Sequence, residues 1–331
     1  MRIIFFDTLS EEENYFKVRG FSKAVFEKEP LTKERARKFK DAEAVCVFVH
    51  SMITEEVLRE MPKLKYICTR SMGFDHIDLE ACKRRGIKVS NVPHYGGETV
   101  AEHTFALILA LLRKIPKIVA RTQEENFSIA GCEGTELKGK TLGVIGPGRI
   151  GQVVIQIAKG FGMKVVAYSP NKDRKLEKKL GFEYCSLNNL LKNADIVSVH
   201  VPLCSETKHL MNKETFSLMK KGSYFINTSR GAIVDTTALL WALDSGKLAG
   251  AGLDVLEGEE DIRDERELIG KVCDGERLKV LFENHHLLRE RNVIVTPHIA
   301  FYTKEAMERI LSGSLANIRG FVKGKVVNRV C

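Results

Sequence analysis

Three side chains that could carry out acid–base chemistry on a carboxylate substrate follow short apolar runs in the second half of the chain. Arg230, in INTSRG, has a planar, permanently charged fork that matches a carboxylate with two hydrogen bonds. His298, in VTPH, titrates near neutrality and could exchange a proton with a substrate oxygen. Glu259, in LDVLEGE, could accept from the other ring nitrogen, fix the tautomer and raise the pKa of the histidine. Each residue alone also has an ordinary structural explanation, so the three are informative only together.

A glycine-rich turn separates two apolar runs in TLGVIGPGRIGQVVIQIAKGFGMKVVAYS, residues 141–169. Gly146, Gly148 and Gly151 have the G-x-G-x-x-G spacing, which permits a tight turn, close approach of a pyrophosphate to the backbone, and close packing of a helix on a strand. The helix that begins there presents free N–H groups and the positive end of its dipole to an anion. We therefore predict a strand–turn–helix–strand unit that binds a dinucleotide.

The residue after the second of these strands bears on the choice of coenzyme. Ser169 stands where dinucleotide-binding folds place an acidic residue on the ribose 2′-hydroxyl. Asn171, Lys172 and Arg174 follow and could donate to a 2′-phosphate, although the two basic residues could equally belong to a solvated loop. Asp173 could still reach the ribose. The residues themselves leave both NAD and NADP open.

Strand-like and helix-like stretches alternate along the chain and must position these residues. Residues 2–101 contain short apolar runs separated by helical polarity patterns, and the alternation resumes after Ser169. This rhythm predicts an α/β fold with parallel sheets covered on both faces. Polar clusters follow four later runs, in HVPLCSET, NTSRG, LDVLEGE and TPHIAFYT. Because parallel strands bring such clusters to one edge, we expect them to form one crevice.

Three further stretches have expected places in this fold. The loop of residues 70–75 follows a strand, and Gly73 there is either part of a backbone nest for a carboxylate or an ordinary turn glycine. A long apolar helix is predicted over Glu98–Arg121, kinked or divided by Pro116. Residues 261–291 are highly charged and are predicted to form an irregular surface insertion.

Composition excludes several classes of protein. The 331 residues suffice for two domains, and the net charge of +9 comes from basic residues interleaved with acidic ones rather than from a nucleic-acid-binding tract. Eight cysteines occur without a C-x-x-C pair, which argues against a zinc site or a disulfide framework and for a reducing compartment. The apolar run of residues 105–112 is too short to cross a bilayer. We expect a cytoplasmic protein without a metal, nucleic-acid or membrane partner.

The chain resembles the D-isomer-specific 2-hydroxyacid dehydrogenases over nearly its whole length, and within them the D-lactate dehydrogenase branch. The resemblance is carried by RSMGFDHID, NVPHYGGETVAEHT, VIGPGRIG, INTSRGAIVD, GLDVLEGEE and TPHIAFYT, in family order and spacing. It implies a Rossmann-type doubly wound parallel sheet plus a flavodoxin-like substrate domain. The implied substrate domain is residues 1–101 and 299–331, and the implied dinucleotide-binding domain is residues 102–298. A homodimer is expected.

The resemblance also implies a role for individual residues. Arg230 would hold the substrate carboxylate, His298 would be the acid in reduction, and Glu259 would be its partner. The other implied substrate-binding residues are Met72, Gly73, Tyr95 and Tyr302. The residues implied for the coenzyme are Gly146, Gly148, Arg149, Ile150, Gly151, Ser169, Val201, Pro202, Thr207, Thr228, Ser229, Asp254 and Ala300. The resemblance implies NAD(H) as the coenzyme, and NADP(H) is an alternative because Ser169 stands where most NAD-specific members have aspartate.

The expected reaction is the reversible reduction of a small 2-oxo acid, foremost pyruvate, to the D-2-hydroxy acid with NAD(P)H. A hydroxypyruvate or glyoxylate reductase is the enzyme alternative. The alternative from another class is a dinucleotide-sensing binding protein, such as the corepressors that share this fold. Those corepressors keep the same three catalytic residues, so the presence of these residues does not exclude a binding protein.

Overall fold

The chain folds into two compact units in the computed structural model, which describes residues 1–263 and 275–331. The terminal unit consists of Met1–Gly96 and Tyr302–Cys331, and the central unit of Gly97–Phe301. The family resemblance implies domain limits near residues 101 and 299, and the units change at Gly97 and Tyr302. That one unit takes the substrate and the other the coenzyme stays a prediction.

The terminal unit is built on a five-stranded parallel sheet with the strand order β2-β1-β3-β4-β5. Its strands are β1 Ile3–Phe5, β2 Val25–Phe26, β3 Ala44–Val47, β4 Tyr66–Thr69 and β5 Lys88–Ser90. Its helices are α1 Ser10–Phe16, α2 Lys33–Lys38, α3 Glu55–Arg59, α4 Leu79–Arg84 and, from the end of the chain, α14 Lys304–Val322. This strand order is that of flavodoxin-like sheets, as expected.

Both faces of this sheet are buried. Ile4 and Val45 belong to an apolar cluster shared with α2, α3 and α4, while Phe5 and Cys46 belong to a second cluster shared with α1 and α14. Alternate residues of one strand therefore enter different clusters, as the two-residue period of a strand requires. Cys46 and Cys68 are fully buried and pack as small apolar core residues.

The central unit contains a seven-stranded parallel sheet with the order β12-β11-β10-β9-β6-β7-β8. Its strands are β6 Thr141–Ile145, β7 Lys164–Tyr168, β8 Glu183–Tyr184, β9 Ile196–Val199, β10 Ser223–Asn227, β11 Leu248–Leu253 and β12 Val293–Val295. Chain order reverses between β6 and β9, so the sheet has the topological switch point at which doubly wound folds bind ligands. The predicted Rossmann-type α/β fold is thus confirmed.

The helices of the central unit include those that cover both faces of its sheet. They are α5 Gly97–Leu112, α6 Ile115–Gln123, α7 Arg149–Gly160, α8 Arg174–Leu180, α9 Leu187–Asn193, α10 Lys213–Leu218, α11 Thr236–Asp244, α12 Glu259–Arg263 and α13 Gly275–Leu287. The long helix predicted over Glu98–Arg121 is divided at Lys114, whose φ of 54° is left-handed. Pro116 then lies in the first turn of α6, where a missing N–H costs nothing.

The prediction of an irregular surface insertion over residues 261–291 is wrong for most of the described part. It contains the end of α12 and all of α13, while residues 264–274 lie outside the described residues. Leu281, Asn284 and Leu287 of α13 are buried on one helical face. His285 in this helix is partly buried, whereas His286 is exposed. The sequence did not reveal this buried face, because charged residues separate its few apolar positions and the periodic signal of the helix is therefore weak.

None of the helices in the described ranges combines the length and the apolar character that a membrane crossing requires.

Candidate active site

The glycine turn joins β6 to α7 at the carboxyl edge of the central sheet. Gly146 has a φ of 90°, and a Cβ there would lie 2.8 Å from the carbonyl oxygen of His200. A Cβ at Gly151 would lie 2.4 Å from the carbonyl oxygen of Gly146, whereas one at Gly148 would meet nothing within 4 Å. Two glycines are therefore required by backbone packing, and the third leaves open space at the N-terminus of α7. The turn fits a pyrophosphate, which needs close approach to free N–H groups.

Arg149 and Ile150 form the first turn of α7, next to this opening. Val201 and Pro202 follow β9, and Val201 packs directly against Gly146. Thr207 closes the turn after them, because its hydroxyl donates to the carbonyl of Pro202 at 2.6 Å. The segments after the two strands that flank the switch point thus both lie at the glycine turn.

Ser169 directly follows β7, and Asp173 lies four residues further along, at the start of α8. Ser169 is partly buried, and its Oγ accepts from the N–H of Asn171 at 3.3 Å. The Asp173 carboxylate caps α8 by accepting from the N–H groups of Lys175 and Leu176, at 2.9 and 3.1 Å. A carboxylate engaged in this way stabilises the helix end. This role explains the presence of Asp173 without a contact to the ribose of a coenzyme.

His298 and Glu259 form an imidazole–carboxylate pair. Nδ1 of His298 donates to Oε1 of Glu259 at 2.5 Å, and each side chain is 24% exposed. The other carboxylate oxygen of Glu259 accepts from the N–H of Leu256 at 3.1 Å. This arrangement fixes the tautomer that leaves Nε2 to face a substrate oxygen, and places a negative charge where it stabilises the protonated ring.

Asp254 holds the backbone on which His298 lies. It directly follows β11 and is 1% exposed. One carboxylate oxygen accepts from the N–H of Ile299 and the hydroxyl of Thr296, and the other accepts from the N–H of Ala300. His298 has a φ of 56°, and its own N–H donates to the carbonyl of Asp254 at 2.8 Å. A left-handed conformation in a residue other than glycine is maintained here by the surrounding hydrogen bonds.

Sequence reasoning missed two residues that support this loop. Nε2 of His103, on α5, lies 3.0 Å from the hydroxyl of Thr296 and 3.5 Å from the Asp254 carboxylate. Thr296 lies two residues before His298, but His103 is 193 residues away from Thr296 in the chain, so nothing in their spacing indicated the contact.

Arg230 lies in the loop after β10, against the segment that leads to Glu259. Nδ2 of Asn227 donates to the Arg230 carbonyl at 2.9 Å, and a Cβ at Gly231 would lie 2.0 Å from the carbonyl oxygen of Leu256. Thr228 and Ser229, in the same loop, bond to Thr104 and to Asn227. The loops that carry Arg230 and Glu259 are therefore in direct backbone contact.

In the terminal unit, the structure brings Met72 and Tyr95 together. The N–H of Met72 donates to the hydroxyl of Tyr95 at 3.3 Å, and the Met72 carbonyl accepts from Nδ2 of Asn91. The carbonyl of Gly73 accepts from Ser71, which fixes the loop after β4. Tyr95 is buried, whereas Tyr302 is 55% exposed.

The Arg70 that precedes this loop is a structural residue. It is 1% exposed and donates to the carbonyls of Phe6 and Asp7 at 3.0 and 2.6 Å, with the Glu12 carboxylate at 3.7 Å. These contacts anchor the end of β4 and leave the guanidinium within the unit's interior. Such a buried charge is tolerated because it is paired and hydrogen-bonded.

Comparison with known proteins gives consistent results. The family model described as "D-isomer specific 2-hydroxyacid dehydrogenase, NAD binding domain" matches residues 105–300. A D-lactate dehydrogenase of Escherichia coli is 39% identical over 297 residues, 89% of this chain and 88% of that protein. A glyoxylate reductase of Thermococcus litoralis is 39% identical over 296 residues, 87% of this chain and 83% of that protein. The crystal structure of D-lactate dehydrogenase from Aquifex aeolicus complexed with NAD and lactic acid has a TM-score of 0.89 and 42% identity, covering 98% of this chain and 96% of that one.

Proposed function

Because this chain belongs to the D-isomer-specific 2-hydroxyacid dehydrogenases, we propose that it reduces a small 2-oxo acid, foremost pyruvate, to the D-2-hydroxy acid with NADH. The proposal rests on the hydrogen bond between Nδ1 of His298 and Glu259, in loops that leave the carboxyl edge of a dinucleotide-binding sheet. A binding protein could keep the same pair. Catalytic turnover therefore has to be measured.

Three residues of this chain have separate roles in the proposed reaction. A bound nicotinamide supplies the hydride, which is the coenzyme's own chemistry. Arg230 binds and orients the substrate carboxylate through its planar fork. His298 delivers the proton from Nε2 to the substrate oxygen that becomes the hydroxyl, and Glu259 stabilises the imidazolium before that transfer. In the reverse direction, His298 acts as the base.

The loop after β4 would supply the remaining substrate contacts. The backbone N–H groups of Met72 and Gly73 are suited to a carboxylate, which would take the place of the Tyr95 hydroxyl that accepts from the Met72 N–H in this structure. Tyr302, at the start of the returning chain segment, is exposed enough to contact a ligand. We assign these four residues to substrate binding.

We propose NAD(H) as the coenzyme, with NADP(H) also accepted. Asp254 would hold the carboxamide of the nicotinamide, and Ala300, Thr228 and Ser229 would line the same site. Ser169 carries no charge that repels a 2′-phosphate, and the Asp173 carboxylate is engaged at the start of α8. The glycine turn would bind the pyrophosphate of either coenzyme.

A glyoxylate or hydroxypyruvate reductase is the second candidate. The glyoxylate reductase of Thermococcus litoralis is as similar to this chain as the D-lactate dehydrogenase of Escherichia coli. Both reactions need the same acid, guanidinium and coenzyme, and differ only in the substituent next to the carbonyl. The substrate pocket therefore decides between them.

A substrate panel tests the proposal. NADH and NADPH oxidation would be followed with pyruvate, glyoxylate, hydroxypyruvate and bulkier 2-oxo acids, and the configuration of the product would be determined with enzymes specific for D- or L-lactate. We expect the highest kcat/KM with pyruvate and NADH, and D-lactate as product. A protein that binds NADH and reduces none of these acids would refute the proposal in favour of a dinucleotide-sensing role.

We also propose a homodimer formed through α6 and the loop that follows it. Ile115 and Val119 on α6 are 46% and 47% exposed, and Phe127 and Ile129 in the loop are 80% and 87% exposed. Arg121 donates to the Ala130 carbonyl at 2.9 Å, so this loop is tied to the helix. Apolar side chains this exposed on a helix and its adjoining loop are typical of an interface, and a two-fold dimer would cover them on both chains.

A further inference from the structure

His209 and Glu257 form a second imidazole–carboxylate pair in the central unit. Nε2 of His209 lies 2.5 Å from Oε1 of Glu257, and the two side chains are 40% and 18% exposed. His209 lies between β9 and α10, and Glu257 lies in the loop after β11, two residues before Glu259. The proposed reaction has no step for a second imidazole, so this pair needs another explanation.

Glu257 is held by helices α11 and α13 in addition to His209. Its other carboxylate oxygen accepts from the hydroxyl of Thr236 at the start of α11, at 3.2 Å. Its carbonyl accepts from Nδ2 of Asn284 on α13 at 2.7 Å. Thr236 and Asn284 are buried, so these bonds are protected from water. His209 supplies the only ionisable contact among those described for this carboxylate.

The short segment from Leu256 to Glu259 transmits this constraint to the active site. Gly258 has a φ of 64°, and the N–H of Leu256 donates to the Glu259 carboxylate at 3.1 Å. The direction of the Glu259 side chain therefore depends on where Leu256 and Glu257 are held. Glu259 in turn orients His298.

His209 also contacts the loop that carries Arg230, through its backbone. Its N–H donates to the carbonyl of Ala232 at 2.9 Å, two residues after Arg230. Its side chain holds the Glu259 segment and its backbone holds the Arg230 loop. A side-chain substitution at this position removes the first contact and keeps the second.

We propose that His209 is a positioning residue for catalysis, which acts through Glu257 on the Glu259 carboxylate and so on His298. This inference rests on the proposed function. It deepens that function by assigning to the His209–Glu257 pair the alignment of the proton donor. Alignment matters because a displacement of about 1 Å in a catalytic group costs roughly 10²-fold in rate.

The kinetic test compares His209→Ala with His209→Gln, whose amide can still donate to Glu257. In His209→Ala we expect kcat to fall about tenfold or more, with the KM for the 2-oxo acid changed less than about twofold, because the backbone contact to the Arg230 loop remains. His209→Gln should recover most of kcat. Fluorescence of Trp241, the single tryptophan, would check that each variant is folded.

A double-mutant cycle separates positioning from general destabilisation. In a Glu259→Gln background, the additional loss caused by His209→Ala should shrink to about twofold or less, because the carboxylate it aligns is no longer present. An equal loss in both backgrounds, or an unchanged kcat in His209→Ala, would overturn the inference. If His209→Ala does not fold, Thr236→Val removes one bond to the same carboxylate and is measured in its place.

A spectroscopic test needs no turnover. The Nδ1 proton of His298, which donates to Glu259, should give a downfield ¹H resonance in protein labelled with ¹⁵N-histidine. We expect this resonance to shift or broaden in His209→Ala and to be retained in His209→Gln. An identical resonance in wild type and His209→Ala would contradict positioning, even if the substrate panel had failed and the proposed function were wrong.

Discussion

His298 is the residue on which turnover is expected to depend most. His298→Ala should lower kcat by about 10²- to 10⁴-fold, because it removes the imidazole that pairs with Glu259 and delivers the proton. The affinity for NADH, measured by fluorescence titration, should be unchanged. Glu259→Gln is the matched control on the other side of the same hydrogen bond, and we expect a smaller loss. Turnover that survives His298→Ala would exclude His298 as the acid.

A second prediction concerns His200, which follows β9. Burial lowers the pKa of His200 to about 3, and its Nδ1 has no hydrogen-bond partner among the described residues. The unfolded chain binds a proton below about pH 6.5, whereas the folded protein leaves this ring neutral down to about pH 3. Stability should therefore be lost as the pH falls through this window, and no contribution is expected above it.

Between about pH 7 and pH 5, this residue should cost the folded protein up to about 2 kcal/mol. The measurement is the free energy of unfolding in urea at several pH values, for wild type and His200→Gln. Glutamine keeps a partner for Ser198, which lies 2.8 Å from Nε2 of His200. If both proteins lose stability equally on acidification, His200 is not the group responsible.

At the residue scale, the sequence indicates chemistry better than it indicates contacts. The expected partnership of His298 with Glu259 is present as a hydrogen bond. The contact between His209 and Glu257 spans 48 residues and has no periodic signature. The alternative that Asp173 reaches a ribose is not supported, because helix capping uses its carboxylate. Local spacing can suggest a residue's type of chemistry, but a partner distant in sequence is set by the fold.

At the element scale, α7 offers a test of why its glycines are present. Gly151→Ala would place a Cβ 2.4 Å from the carbonyl oxygen of Gly146, so the helix must move away from the turn. We expect a lower Tm and weaker binding of NADH. Gly160→Ala, at the other end of the same helix, meets nothing within 4 Å and should raise stability by about 0.4–1 kcal/mol.

Thermal unfolding and NADH titration of the two variants would check this prediction. Equal effects at Gly151 and Gly160 would mean that close packing of the helix on the turn does not matter for the coenzyme site.

Elements that carry a strong periodic or apolar pattern are the ones that sequence reasoning locates. The glycine turn, β6 and the division near Pro116 are present close to where they are expected. Helix α13 was missed because charged side chains separate its few buried positions. Its Asn284 is fully buried by tertiary contact with Glu257, which no local pattern can reveal.

At the scale of the whole molecule, two sheets of different strand order divide the chain. The strands of the terminal sheet have the order β2-β1-β3-β4-β5. Strand β6, which leads into the glycine turn, belongs to a separate sheet, whose chain order reverses between β6 and β9. The chain end returns to the terminal unit as α14, as the family resemblance implies by placing residues 299–331 with residues 1–101. The alternation of strands and helices thus indicates the α/β fold class. The number of units is indicated by the places where that alternation is interrupted.

Assembly supplies the prediction at this scale. The exposed side chains of Phe127 and Ile129 lie on the loop that Arg121 ties to α6, and a self-complementary interface would remove them from water. Changing both to glutamate should separate the chains, because two-fold symmetry brings four like charges into one patch. Phe282→Glu is the matched control, since Phe282 is 70% exposed on α13 and outside the proposed interface.

Light scattering coupled to size-exclusion chromatography would measure the masses. We expect wild type and Phe282→Glu to have twice the chain mass, and the double variant to have the chain mass of 37.2 kDa. A wild-type monomer would refute the homodimer itself. A double variant that stays dimeric would place the interface elsewhere, because buried carboxylates without partners cost several kcal/mol and a true interface would not tolerate four of them.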